Sequence, residues 1–244
     1  EIKTGDFSSA LVERLQAAGI LQKLNQQDES LKIVLDNLKI KPDHLPSLEV
    51  WFSQVSGQPE NIKIDFDRAL QLAEVYQSQG LVGKAIQHLD ELRRLTGEDD
   101  RVTRLLVPLL QQTGEVHRAL NLLMERGRNL AGQGETEKAL ECFRQAEEIV
   151  PDQAEPLLAR LEIARSSENK AEQFALLERL AEQSSEKGLI GKQIDYLQQA
   201  WDLMPGKVEA GERLTEVYLA KGDEAKAVQT LERLGGLYRQ KKQL

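Results

Sequence analysis

Apolar residues recur at helical spacing along almost the whole chain, and glycines interrupt them at intervals. Gly188 and Gly222 occupy the same place in the two equal halves of residues 174–241. The shared positions are Leu180 and Leu214, before the glycine, and Leu197 and Leu231, after it. This pattern predicts two amphipathic helices joined by a tight turn. Helix pairs that repeat with a period of about 34 residues are typical of a solenoid.

The same spacing surrounds three other glycines, Gly80, Gly114 and Gly134. The matching positions are Leu72, Tyr76, Ala85 and Leu89, then Leu106, Leu110, Ala119 and Leu123, then Leu130, Ala139 and Phe143. The turn sequences GETEKAL and GDEAKAV, at 134–140 and 222–228, are nearly identical. The pattern resembles the tetratricopeptide repeat family over most of residues 11–241. The resemblance implies an all-α, right-handed α-solenoid of helix-turn-helix repeats with about thirteen helices.

The repeats divide the chain into three predicted parts. Residues 1–57 contain a degenerate repeat, with Asn25 at the turn position, and an extra helix at 45–55. We expect the degenerate unit to cap the N-terminal end of the array. Residues 58–65 are too few and too irregular for the expected partner helix, so we interpret them as an irregular connection. This connection is either a kink or boundary, or a longer loop, and residues 66–244 form the main array.

The spacing changes twice within the main array. Gly114 and Gly134 are much closer together in the sequence than one full repeat. We therefore expect helix 115–131, and later helix 169–186, to act as the second helix of one pair and the first helix of the next. Residues 166–169 replace the turn glycine between two helices. The pattern leaves open which face residues 130–170 present.

Charge and composition exclude several functional classes. The net charge of −8 disfavours nucleic-acid binding, including binding by RNA-reading helical repeats. No apolar run is long enough to span a membrane. Cys142 is the single cysteine, so no internal disulfide can form; this favours the cytoplasm and leaves the periplasm possible. The chain begins at Glu1 without an initiator Met, so we expect part of a longer protein, bacterial by the resemblance of its repeats.

The sequence contains no recognisable catalytic or metal-binding constellation. His44, His88 and His117 fall on different predicted helices, and no H-x-x-x-H, C-x-x-C, P-loop or G-x-S-x-G pattern is present. We interpret Cys142 as a structural thiol and the large aromatic residues Trp51, Phe52 and Trp201 as core. We therefore predict no enzyme activity, no cofactor and no metal.

The resemblance implies a binding surface. In that family the first helices of successive units line a concave groove that takes a peptide. Carried over by helical face, the partner-binding residues are Asp67, Glu74, Arg101, Arg104 and Gln111, then Glu178, Glu182, Glu209, Glu212 and Glu216. The spacing of the glutamates places each set on one helical face, so we expect this half of the groove to bind a basic, Lys- or Arg-bearing segment. The alternative is that these glutamates form a solvated face that keeps the protein soluble. Arg101 and Arg104 would suit an acidic part of the partner.

These observations predict a non-catalytic protein–protein interaction scaffold. Some members of the family hold a partner's C-terminal carboxylate with Lys and Asn side chains, and the glutamates here argue against that activity. Two alternatives stay open: a docking arm of a larger enzyme, and a self-assembling scaffold in which a terminal unit of one copy packs in the groove of another.

Overall fold

A computed structural model describes residues 4–97 and 99–241, and every regular element in these ranges is an α-helix. The helices are α1 (Thr4–Lys23), α2 (Gln27–Ile40), α3 (Leu45–Val55), α4 (Pro59–Ile64), α5 (Phe66–Ser78), α6 (Val82–Thr96), α7 (Asp100–Gln112), α8 (Val116–Gly132), α9 (Thr136–Ile149), α10 (Glu155–Ser166), α11 (Lys170–Glu186), α12 (Ile190–Leu203), α13 (Val208–Lys221) and α14 (Glu224–Lys241). Helices pack mainly against their neighbours in the chain. The predicted all-α, tetratricopeptide-like solenoid fold is therefore confirmed.

The turn glycines have the backbone conformation that the pattern requires. Gly80, Gly114, Gly134, Gly188 and Gly222 have φ between 66° and 81°. This left-handed region costs an L side chain about 1 kcal/mol or more, but it is open to glycine. Two non-glycine residues, Asn25 and Glu168, adopt the same conformation, with φ of 61° and 54°. The predicted turns at Asn25 and at 166–169 are thus confirmed.

The described residues divide into two compact units, unit 1 up to Glu115 and unit 2 from Val116 onward. Unit 1 contains α1 to α7, and its core includes Leu48, Trp51, Leu72 and Leu89, each at most 2% exposed. Trp51 and Phe52 are buried core residues, as predicted. The predicted connection at 58–65, with the possible boundary there, lies inside this unit, and the division of the chain at that place stays a prediction.

The connection at 58–65 is more regular than the sequence predicted. It contains the short helix α4, which raises the number of helices in the described residues to fourteen. Ile62 is fully buried, and α4 packs against α3, α5 and α6. So short a helix cannot show a helical period in the sequence, and the burial of Ile62 is the feature that stabilises it.

The degenerate N-terminal repeat contains two buried polar residues on α2, Ser30 and Asn37. The Ser30 hydroxyl donates to the Ala18 carbonyl oxygen at 2.8 Å, and the Asn37 amide donates to the Leu11 carbonyl oxygen at 3.0 Å. Both residues are fully buried. These hydrogen bonds tie α1 to α2 and satisfy the Ser30 hydroxyl and the Asn37 amide N–H, while Asn37 Oδ1 has no partner among the described residues.

Unit 2 contains α8 to α14. Its core includes Phe143 and Trp201, at 1% and 2% exposure, so Trp201 is a core residue as predicted. Helix α11 packs against both α10 and α12. The double role expected of helices 115–131 and 169–186 stays a prediction. The half-buried Arg160 of α10 bonds to Glu147 of α9 at 2.8 Å and to Glu172 of α11 at 2.7 Å. This guanidinium joins three consecutive helices across the stretch where the repeat spacing changes.

Two helical glycines in unit 2 permit close helix approach. A Cβ atom on Gly127 of α8 would lie 2.4 Å from Cε1 of Phe143. A Cβ atom on Gly211 of α13 would lie 2.7 Å from Cε2 of Trp201. Each of these two buried rings therefore packs closely against a glycine of the neighbouring helix.

Candidate functional site

The ten predicted partner-binding residues fall into two sets, one in each unit. The unit 1 set lies on α5 and α7 and comprises Asp67, Glu74, Arg101, Arg104 and Gln111. The unit 2 set lies on α11 and α13 and comprises Glu178, Glu182, Glu209, Glu212 and Glu216. Nine of the ten are exposed, and Glu178 is half-buried. All ten stay predictions as binding residues.

In the unit 1 set the arginines already have acidic partners. Arg101 donates to Asp67 at 2.8 Å and to Asp99 at 3.2 Å, and its guanidinium carbon lies 4.4 Å from the centre of the Phe66 ring. Arg104 pairs with Asp100 at 3.3 Å. Asp99 also caps α7 by accepting the backbone N–H of Arg101 at 2.8 Å. An acidic partner segment would have to compete with these carboxylates.

In the unit 2 set the residues of α11 and α13 meet across the helix pair. Glu178 pairs with Arg213 at 3.8 Å, which places these two faces side by side. Glu212 accepts a hydrogen bond from the Tyr238 hydroxyl of α14. That bond, with the burial and the nearby carboxylates of Glu212 and Glu209, raises the pKa of Tyr238. Tyr238 therefore stays a neutral donor throughout the physiological range.

The other three carboxylates of this set have no ion-pair partner among the described residues. Glu182, Glu209 and Glu216 form no ion pair with any residue in the described ranges. All three are exposed. Water and salt stabilise them, so they are available to an incoming cation without breaking an existing bond.

The charges repeat differently in the two units. Asp67 and Arg101 are 34 residues apart, occupy equivalent positions on α5 and α7, and form an ion pair. The same spacing relates Glu178 to Glu212, and Glu182 to Glu216. Equivalent positions therefore carry opposite charges in unit 1 and like charges on α11 and α13.

Sequence reasoning missed a second polar cluster in unit 1, centred on Glu49 of α3. Its Oε1 accepts the Tyr76 hydroxyl at 2.8 Å and the Lys84 ammonium at 3.1 Å. Burial and the hydrogen bond to Glu49 raise the pKa of Tyr76 well above its usual value of 10. The signal available in the sequence was the 35-residue separation of Glu49 and Lys84, close to the repeat length.

The residues in the described ranges show no metal site. They bring together no group of three His, Cys, Asp or Glu side chains that could hold a metal ion. Cys142 is half-buried on α9. None of the described helices is both long enough and apolar enough to cross a bilayer.

Comparisons with known proteins give structural matches only. No protein-family model matches the chain, and neither does any curated protein. Among solved structures, MamA from Desulfovibrio magneticus RS-1 is 14% identical, with 94% of this chain and 96% of that chain covered and a TM-score of 0.27. BtubC from P. vanneervenii is 16% identical over 96% of this chain and 92% of that chain, with a TM-score of 0.36. TPR-like repeats of a Podosopora anserina kinesin light chain are 16% identical, with 97% of this chain and 98% of that chain covered and a TM-score of 0.29. At these TM-scores the matches carry no argument about function.

Proposed function

We propose that this chain is a non-catalytic protein–protein interaction scaffold that binds a basic segment of a partner protein. The binding site is the acidic surface, defined as Glu178, Glu182, Glu209, Glu212 and Glu216. The observation that carries the proposal is the like charge at equivalent positions of α11 and α13. Elsewhere in the chain the same relation, one repeat apart, brings Asp67 and Arg101 together as an ion pair.

Apart from the Glu178–Arg213 pair, the like charges of the acidic surface cost stability until a cation arrives. Like charges three or four residues apart on one helix destabilise it by about 0.2–0.5 kcal/mol per pair. Glu178 with Glu182, and Glu209 or Glu216 with Glu212, are such pairs. A Lys- or Arg-bearing segment would replace this repulsion between carboxylates by attraction to its own cations. Its binding would weaken with salt, because ions screen charges that are exposed to solvent.

The proposal is tested with a fluorescent twelve-residue peptide that alternates Lys and Gly. Its affinity would be measured by anisotropy at about 50 mM and about 300 mM salt, a range over which the Debye length falls markedly. The test variant is Glu182→Gln/Glu216→Gln, which removes two carboxylates that have no cation partner in the described ranges. The matched control is Glu137→Gln/Glu148→Gln, which removes two exposed carboxylates of α9 in the same unit.

We expect the test variant to bind about tenfold more weakly at low salt, from two ion pairs of up to about 1 kcal/mol each, and the control to bind like the wild type. Equal losses in both variants would indicate attraction to net charge alone and would refute the site. A pull-down from cell lysate with the same three proteins would then identify the natural partner, which the test variant should lose.

A second candidate function, self-association, is favoured by the last helix pair. Leu231 of α14 is 51% exposed, whereas Leu197, its equivalent one repeat earlier, is fully buried. Val228 beside it is 54% exposed. A helix from a second copy could cover this apolar surface, as α13 covers α12. Scattering mass over a concentration series should rise above the monomer value in the wild type and stay at it in Leu231→Lys; a monomer mass for both would remove this candidate.

A further inference from the structure

We propose that a cleft between α3, α5 and α6 of unit 1 binds the guanidinium group of an arginine side chain from a partner protein. In the absence of the partner, Lys84 of the chain itself occupies the cation position. The cleft is a different surface from the acidic surface, and its residues play no part in the proposed function above.

The cleft has the size and lining of a side-chain pocket. Its volume is about 500 Å³, within the range of ligand pockets. Its lining includes Glu49, Phe52, Tyr76, Lys84, His88 and Glu91. The Phe52 and His88 rings contact each other edge to face, with centroids 4.3 Å apart. The lining thus combines aromatic rings with two carboxylates.

His88 presents a hydrogen-bond acceptor to this cleft. Its Nε2 lies 2.8 Å from the Ala69 carbonyl oxygen, which can only accept, so Nε2 carries the proton. Burial lowers the pKa of His88 below its ordinary value of 6.5, so the ring is neutral at pH 7. Nδ1 is then an acceptor to which no described residue donates. A ligand could therefore donate a hydrogen bond to it.

The carboxylates also have acceptor capacity to spare. Both hydrogen bonds to Glu49 use Oε1, and no described residue donates to Oε2. Among the described residues, Glu91 pairs with the exposed Arg94, at 3.9 Å, beyond hydrogen-bond distance. Glu49 and Glu91 outnumber Lys84, so the cleft favours a cation over an anion.

Lys84 shows how a cation fits. Its ammonium lies 5.4 Å from the centre of the Tyr76 ring and 3.1 Å from Glu49 Oε1, in a cation–π arrangement completed by a carboxylate. The Lys84 side chain is 55% exposed, so it can swing out at little cost. A planar guanidinium stacks better on aromatic faces and carries five donors, against three for an ammonium. Those donors match the spare acceptors of Glu49, His88 and Glu91.

The test uses three short probes, acetyl-Gly-Arg-Gly-amide and its lysine and citrulline analogues, titrated into the whole chain and followed by NMR. Citrulline keeps the shape of arginine and lacks its charge. We expect saturable binding of the arginine probe, about fivefold weaker binding of the lysine probe, and none of the citrulline probe. Lys84→Gln should tighten arginine binding about fivefold because it removes the internal competitor.

Two further variants separate the cleft from general charge effects. Glu91→Gln should weaken arginine binding and leave the fold intact, since the Glu91 side chain is within hydrogen-bond distance of no described residue and its pair with Arg94 spans 3.9 Å. Glu29→Gln, an exposed acid on α2, is the matched control and should bind like the wild type. Equal binding of the arginine and citrulline probes, weaker binding by Lys84→Gln, or no saturable binding would each overturn the proposal. The proposal for the acidic surface is tested separately, by the Glu182→Gln/Glu216→Gln variant, and does not depend on the result of this titration.

Discussion

Gly127 of α8 allows a sharp test of the packing in unit 2. Replacing it by alanine adds one methyl group inside a helix, a change that alone stabilises a helix by about 1 kcal/mol. Here the new Cβ would lie 2.4 Å from Cε1, 2.8 Å from Cζ and 2.9 Å from Cδ1 of Phe143. Carbon atoms in contact prefer about 3.5–4.0 Å, so either the ring or the helix must move by about 1 Å.

The clash should outweigh the gain in helix propensity. Phe143 is 1% exposed, so its ring has no solvent into which it can move. Overpacking of a well-packed core costs about 1–3 kcal/mol, and three close contacts place this site at the upper end. Subtracting about 1 kcal/mol for helix propensity leaves a net destabilisation of about 2 kcal/mol.

The assay is urea unfolding followed by circular dichroism, with Gly191→Ala as the matched control. Gly191 also lies in a helix of unit 2, α12, and its added Cβ would have no neighbour within 4 Å. The control should therefore gain up to about 1 kcal/mol, while Gly127→Ala loses about 2 kcal/mol. Adding Phe143→Leu to Gly127→Ala should recover part of the loss, whereas Phe143→Leu alone should destabilise. If Gly127→Ala proved as stable as the control, the close approach of α8 to Phe143 would be wrong.

Two other predictions concern unit 1. Asn25→Ala should lower the free energy of unfolding by about 1 kcal/mol, because Asn25 has a φ of 61°, and Asn25→Gly should not lower it; equal losses in both would contradict this reason. Burial lowers the pKa values of both His44 and His88, so the unfolded chain binds protons first, near pH 6.5. The stability held by these neutral rings is complete above pH 6.5 and falls as the pH drops below it. Urea midpoints at pH 7.5 and 5.5 should show this fall in the wild type and a smaller one in His88→Gln; an unchanged difference would exclude His88 as a source.

Much of the fold could be predicted from the sequence because each turn is marked by a local pattern of residues. A left-handed turn residue between two apolar stripes is a local requirement, so Gly80, Gly188 and even Asn25 could be assigned from spacing alone. Helix α4 could not be assigned in this way. It depends on the burial of Ile62 against three other helices, which is a tertiary effect with no periodic signal.

The candidate sites depend on contacts between helices one repeat apart. The repeat period therefore also indicates which side chains of successive units contact each other. Ion pairs or hydrogen bonds join Asp67 to Arg101 and Arg165 to Gln199 at a separation of 34 residues. Glu49 and Lys84, 35 residues apart, obey nearly the same rule. Residues 58–65 interrupt the repeat pattern between Glu49 and Lys84, so the spacing alone did not predict the cleft.

The contacts between residues one repeat apart also explain why the acidic surface is a candidate binding site. Once residues one repeat apart are known to face each other, an exposed charge can be judged by its counterpart in the next repeat. For Asp67 that counterpart is Arg101, and the charge is neutralised within the chain. For Glu182 it is Glu216, and the charge is left for a partner or for solvent. A solvated surface would lose little when these glutamates become glutamines, whereas a binding surface would lose its ligand, so the peptide titration separates the two interpretations that the sequence left open.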